Sequence, residues 1–169
     1  MGSDSEIVKR KKPMKSDYSP YWNQYLSTLP PDHPHHHAKY GAWGFGDSPE
    51  MADELGQLVL DGVKRATAAL VKEFEVKGED IPPVGDVNII LNGAGEPICI
   101  IETTEITVKP LNQVDEQFAY DEGEGDRSLA YWKAAHDGYF RRQCDMLGWT
   151  FFEDMPATFE RFKVIYPVS

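Results

Sequence analysis

Apolar positions recur along this chain with two different periods, and the changes between them mark its elements. Between Ser19 and Leu29, Tyr21, Trp22, Tyr25, Leu26 and Leu29 fall at helical spacing behind Pro20. This predicts a short amphipathic helix stopped by Pro30-Pro31. Met51, Leu55, Leu58 and Val59 repeat at i, i+4, i+7 and i+8. Ahead of them stand an N-cap (Ser48), a first-turn proline (Pro49) and an acid that complements the helix dipole (Glu50). The spacing predicts a helix over 49–61 closed by Gly62. A weaker helical stretch is expected near Ala69–Phe74. The period then shortens: Val87–Leu91 and Ile98–Val108 read as strands flanking Asn92-Gly93-Ala94-Gly95, where residues tolerant of positive φ suit a hairpin turn. Asp115–Tyr120 reads as a short helix. Ser128 caps a long one that runs to about Leu147 and ends at Gly148, with Leu129, Trp132, His136, Tyr139, Phe140 and Leu147 facing inward. Phe159–Tyr166 reads as a closing strand.

Few strands separated by helices and long loops fit an α+β fold with a small mixed β-barrel better than a doubly wound sheet. No glycine-rich strand–turn–helix signature for a nucleotide phosphate is present. The 169 residues suit one domain: a structureless basic leader over 1–17, a helix and loop over 18–40 that pack on the domain, and the domain itself over 41–169.

Charge narrows the function classes. The chain has 28 acids and 17 bases, net −11, but Lys9, Arg10, Lys11, Lys12 and Lys15 crowd the leader beside only Asp4 and Glu6. Removing those two acids and five bases leaves 26 acids and 12 bases over residues 16–169, a net −14. Such a body repels a polyphosphate backbone, so long double-stranded DNA is not an expected partner and a small molecule or single nucleoside is. The leader either touches RNA or an import receptor or is a solvated tail. No apolar run is long enough to span a bilayer and no apolar signal region opens the chain, so the reading is cytoplasmic with no membrane partner. Cys99 and Cys144 lack ligand spacing and read as buried thiols of a reducing compartment. The cluster His33-Pro34-His35-His36-His37 reads as a solvated loop and not a zinc site, because no carboxylate or thiolate is fixed at ligand spacing beside it. Neither a metal nor a cofactor is expected.

Three places depart from ordinary packing. Lys64 and Thr67 lie three residues apart just beyond a helix end, where they can face one side. A desolvated lysine can activate a threonine hydroxyl, or Lys64 simply complements the C-terminus of helix 49–61. The run Asp121-Glu122-Gly123-Glu124-Gly125-Asp126 crowds four carboxylates. Mutual repulsion raises some of their pKa values and suits one to carry protons; the alternative is a solvated acidic loop or a weak calcium site. Trp43-Gly44-Phe45-Gly46-Asp47 sets aromatics between glycines on a loop, equally suited to stacking on a flat ring and to capping the core.

Together these stretches resemble the ASCH domain, a family similar to the PUA RNA-binding fold. The resemblance rests on Trp43-Gly44-Phe45-Gly46-Asp47, Ala52-Asp53-Glu54-Leu55, Gly62-Val63-Lys64-Arg65-Ala66-Thr67, Pro83-Val84-Gly85-Asp86 and Phe118–Asp126 with Trp132 and His136. It spans roughly residues 40–166. It implies a five- or six-stranded PUA-like barrel flanked by helices, with Lys64 in a central cleft. One small bacterial branch hydrolyses the acetyl amide of N4-acetylcytidine with a lysine, a threonine and a glutamate. By resemblance those are Lys64, Thr67 and Glu122 here, in a chain that forms a sister group. Trp43, Phe45, Arg65, Glu124, Asp126, Trp132 and His136 are then expected to bind substrate. In that mechanism Thr67 attacks the acyl carbon after losing its proton to Lys64, and Glu122 moves protons. The alternative is that Lys64 stays charged and stabilises an oxyanion. A non-catalytic reader of single-stranded RNA, with Lys64 and Arg65 on a phosphate and Trp43 under a base, is the rival reading. A ribonuclease is the third.

Overall fold

The structure is a computed structural model and describes residues 17–168. The basic leader expected over 1–17 therefore lies outside the described residues except for Asp17. Among the described residues, five α-helices surround one five-stranded sheet. Helix α1 (Ser19–Leu26) precedes β1 (Tyr40–Trp43), α2 (Pro49–Leu60), β2 (Ala66–Leu70), α3 (Val71–Lys77) and β3 (Val87–Leu91). The second half of the chain holds β4 (Pro97–Pro110), α4 (Glu116–Glu122), α5 (Leu129–Leu147) and β5 (Pro156–Tyr166).

The strand order is β1-β3-β4-β5-β2; β1 runs parallel to β3 and every other neighbour pair is antiparallel. The barrel expected from the resemblance is thus an open, mixed sheet. β1 and β2 are its two edges, and no ladder joins them among the described residues. β4 is the spine. Its first half pairs with β3 and its residues from Ile100 to Pro110 with β5, across register shifts at Ile100/Ile101 and Thr103/Glu105 that bend a 14-residue strand.

Local signals explain most elements. The Ser48 hydroxyl accepts from Met51 N, Asp115 from Phe118 N and Ser128 from Tyr131 N, so α2, α4 and α5 each start at a side-chain cap. Asn92 closes the β3–β4 hairpin by accepting from the Ala94 and Glu96 amides. Two expectations need correction. Ala69 and Leu70 are strand, not helix, because pairing of Ala66–Leu70 with Ala157–Arg161 of β5 outweighs alanine's helical preference. Helix α3 begins only at Val71, where the Glu73 carboxylate accepts from Leu70 N at 2.7 Å. Trp43, expected on a loop, ends the edge strand β1.

The core falls into three clusters. Trp22 and Tyr25 of α1 seal one side of β1 and β3, with Trp22 stacked on Tyr40 at 4.4 Å. Trp43, Phe45, Leu55 and Val59 pack on Ile90, Ile101 and Phe162. Phe118, Trp132 and Phe140 pack on Leu70 and Phe159. A small cavity of about 100 Å³ has walls from the last two of these clusters.

Candidate functional site

The stretch after α2 is held from three sides. Val63 N and Lys64 N both donate to Leu58 O, Arg65 N donates to Asp121 O at 2.7 Å, and Phe162 N donates to Arg65 O. With its backbone fixed, the Lys64 side chain turns inward and is 2% exposed. Helix α4 delivers the opposing carboxylate. Glu122 is its last residue, not part of the loop the acidic run suggested, and Gly123 ends the helix at φ 76°. A Cβ on Gly123 would lie 2.5 Å from Val63 O, so the bare glycine is what lets α4 rest on residues 63–64.

The Lys64 ammonium has three close acceptors, Glu124 Oε2 at 2.8 Å, Glu122 Oε2 at 2.9 Å and Ala66 O at 2.9 Å, with the Glu122 carbonyl oxygen farther off at 3.5 Å. An ammonium has three hydrogens, and each has an acceptor here. Glu122, 1% exposed at its side chain, turns its other oxygen toward His136 Nε2 at 3.3 Å. His136 Nδ1 lies 3.0 Å from Trp132 O, and its ring stacks on Trp132 at 3.9 Å. A carbonyl oxygen only accepts, so Nδ1 carries hydrogen. With Nε2 facing a carboxylate, the ring that suits both neighbours is imidazolium. Thr67 and Tyr139 complete the cavity wall with Phe45, Met51 and Arg142. Among the described residues, neither the Thr67 nor the Tyr139 hydroxyl donates to a protein atom.

Electrostatics follow from this packing. Burial opposes the Lys64 charge most strongly, yet the combined attraction of Glu122 and Glu124 outweighs it and holds the ammonium above its ordinary pKa. Burial likewise works against Glu122, but Lys64 and His136 prevail and keep it ionised, well below the usual carboxylate range. His136 is raised because Glu122 overcomes its desolvation. Glu124 touches the same ammonium but moves the other way: burial, reinforced by Glu122, outweighs Lys64 and pushes its carboxyl up. The two acids therefore share one lysine on unequal terms.

The ASCH domain model matches residues 41–166. The chain belongs to the ASCH domain family. It is similar to a crystallised ASCH domain from Lactobacillus crispatus, 39% identical over 92% of this chain and 98% of that one, with a TM-score of 0.84. It is also similar to a protein from Enterococcus faecalis assigned to family DUF984, 32% identical over 87% and 86% of the two chains, with a TM-score of 0.75. The hypothetical protein PH0355 shares the fold at 15% identity and a TM-score of 0.50. No curated protein matches the chain significantly. The mixed α+β sheet fits the PUA-like class of ASCH folds, and among the described residues no helix is long and apolar enough to cross a membrane.

Within this ASCH domain, the expected residues separate into those that meet and those that do not. Lys64, Thr67, Glu122, Glu124, His136 and Phe45 share the cavity. Trp132 is buried behind His136, its face already covered. Trp43 is 4% exposed and packs edge-to-face on Phe45 at 4.7 Å, so of the two roles open to this motif the structure selects core cap for Trp43. Arg65 is half exposed and paired with Asp121 outside the cavity. Asp126 is exposed and accepts from Ser128 N, a turn-forming role away from the cluster. Tyr139 and Arg142 were not foreseen as wall residues. A phenol in an apolar stripe one turn beyond His136 was the available signal. Glu122, Glu124 and His136 also offer ligand atoms within 4.8 Å of one another, a grouping that the sequence reading did not anticipate. The Lys64 ammonium lies between the two carboxylates and already supplies their countercharge, so a divalent cation would have to displace it.

Proposed function

We propose that this ASCH domain hydrolyses an acyl amide on a modified nucleoside of the N4-acetylcytidine kind, with Thr67 as nucleophile. The observation that carries the reading is the meeting of Lys64, Thr67 and Glu122, 58 residues apart at the extreme, around one small cavity. A cavity of about 100 Å³ suits an acylated base edge better than a polynucleotide. The geometry supports a revised division of labour. Lys64 stays charged and supplies a fixed positive field; it is not the base. Glu122 holds Lys64 and His136. Glu124, more exposed and with its pKa raised, moves the protons.

In the proposed reaction the Thr67 oxygen bonds to the acyl carbon while its proton passes to Glu124, and the carbonyl electron pair moves onto oxygen. Collapse breaks the C–N bond as Glu124 returns the proton to the departing amine. Water, losing a proton to the same carboxylate, then attacks the acyl carbon; the bond to the Thr67 oxygen breaks as Glu124 returns that proton to it, giving free acid and restoring Thr67 and Glu124. The rival RNA-reading role has less support, because Lys64 is enclosed by carboxylates and Trp43 is buried.

Incubating the pure chain with N4-acetylcytidine and following cytidine and acetate tests the reading. Wild type is expected to turn over. Thr67→Ala should lose on the order of 10³-fold or more in kcat, as nucleophile deletions do. An inert wild type, or a Thr67→Ala variant as active as wild type, sinks it.

A further inference from the structure

A tetrahedral intermediate needs a hydrogen-bond donor aimed at its oxyanion, and most donors lining this cavity are already spent. The three ammonium hydrogens of Lys64 go to Ala66 O, Glu122 and Glu124. His136 has Nδ1 on Trp132 O, and its Nε2 is held in an ion pair 3.3 Å from Glu122 Oε1. Glu122 and Glu124 are acceptors when ionised, and Arg142 has its Nε on Asp47 at 3.1 Å with most of its side chain in solvent. Lys64 therefore lends the oxyanion its field but no hydrogen.

One neutral donor is left over. Tyr139 lies on α5 one turn beyond His136 and contributes to the same wall as Thr67. Its ring is held edge-on against Phe140 at 5.4 Å. Tyr139 is half-buried, and its hydroxyl donates to no protein atom among the described residues, which leaves its hydrogen available to a ligand. Burial, reinforced by the negative charges of Glu73, Asp47 and Glu124, keeps the phenol protonated at any physiological pH, so it remains a donor.

We infer that Tyr139 is the oxyanion-binding residue of this site, its phenol hydrogen donating to the acyl carbonyl oxygen as negative charge develops there. The inference rests on the amide-hydrolase reading and adds a catalytic group to it. It also narrows the substrate: the acyl oxygen must lie on the α5 side of the cavity, opposite a neutral donor, which favours a small planar amide over an already anionic group. A carboxylate or phosphate placed there would meet the Glu122 and Glu124 carboxylates, while the Lys64, His136 and Arg142 cations of the same wall are already paired with acids.

Tyr139→Phe removes the hydroxyl and keeps the ring, and steady-state kinetics with N4-acetylcytidine read the result. The expected outcome is a fall in kcat of about 100- to 1,000-fold with KM little changed, the signature of a contact made in the transition state. Thermal melting of the variant is expected to match wild type, because no protein hydrogen bond is lost. Wild-type kcat in Tyr139→Phe overturns the inference while leaving the hydrolase reading intact. A rise confined to KM also overturns it, by making the hydroxyl a ground-state contact only. An inert wild type overturns both.

Discussion

At the scale of single residues, the site is a balance of buried charges with Lys64 at its centre. Two cations, Lys64 and His136, face two acids, Glu122 and Glu124, inside a region that excludes most water. Removing one member of such a set is costlier than the set is stabilising, because an unpaired charge stays behind. Lys64→Met keeps the length and apolar stem but leaves two carboxylates together. The variant is expected to be destabilised by about 3–5 kcal/mol near neutral pH. The sign of its pH dependence follows. With Lys64 gone, burial and mutual repulsion raise the folded-state pKa values of these acids above the unfolded 4.5. A raised carboxyl favours folding while protonated, so the penalty is small below that value and grows as pH rises through the folded pKa. Urea denaturation at several pH values between 5 and 8 checks this: Lys64→Met should recover toward wild type as pH falls. A penalty independent of pH would mean that Lys64 is not what keeps the pair ionised.

At the scale of elements, the site depends on how the end of α4 rests on the turn after α2, and Gly123 controls that contact. Gly78 at the end of α3 makes an instructive control, since both glycines are left-handed, at φ 67° and 76°, but only Gly123 has backbone against its missing side chain. Both alanine variants should bear the left-handed cost of about 1–2 kcal/mol. Gly123→Ala should additionally push Glu122 away from Lys64 and abolish amide hydrolysis, whereas Gly78→Ala should keep it; comparable activity loss in both would undo this account. What was readable beforehand divides along the same line. Helices α2 and α5 carried their own caps and stripes, and the β3–β4 hairpin its own turn, so local chemistry announced them. Strands β1 and β2 are four and five residues long and owe their state to partners β3 and β5, which no local pattern reveals. The catalytic candidates came from motif resemblance. In the sequence Glu122 reads as loop because its acidic neighbours obscure the helix between Asp115 and Gly123, and Tyr139 reads as core because its ring packs there and only its hydroxyl does not.

At the scale of the whole molecule, net charge decides which partners can approach. Residues 16–169 carry −14, while five bases stand among the first 15 residues. The inward-facing Lys64 adds nothing to surface potential, and Arg65, Arg142 and Arg161 are each paired with an acid on the body. A phosphate backbone therefore meets net repulsion from the body and an excess of positive charge at the leader. Polyphosphate affinity falls steeply with salt when it rests on a few such contacts. In fluorescence-anisotropy titrations with a labelled single-stranded RNA, the full chain is expected to bind weakly at about 50 mM salt and to lose that binding by roughly 200 mM. A chain lacking residues 1–16 should not bind at either salt while retaining amide hydrolysis. RNA binding that survives deletion of the leader and is weakened by Arg65→Ala would instead place an RNA-reading surface on the domain. That result would make Lys64 the floor of a groove for a polymer, and the case for a single-nucleoside substrate would fall with it.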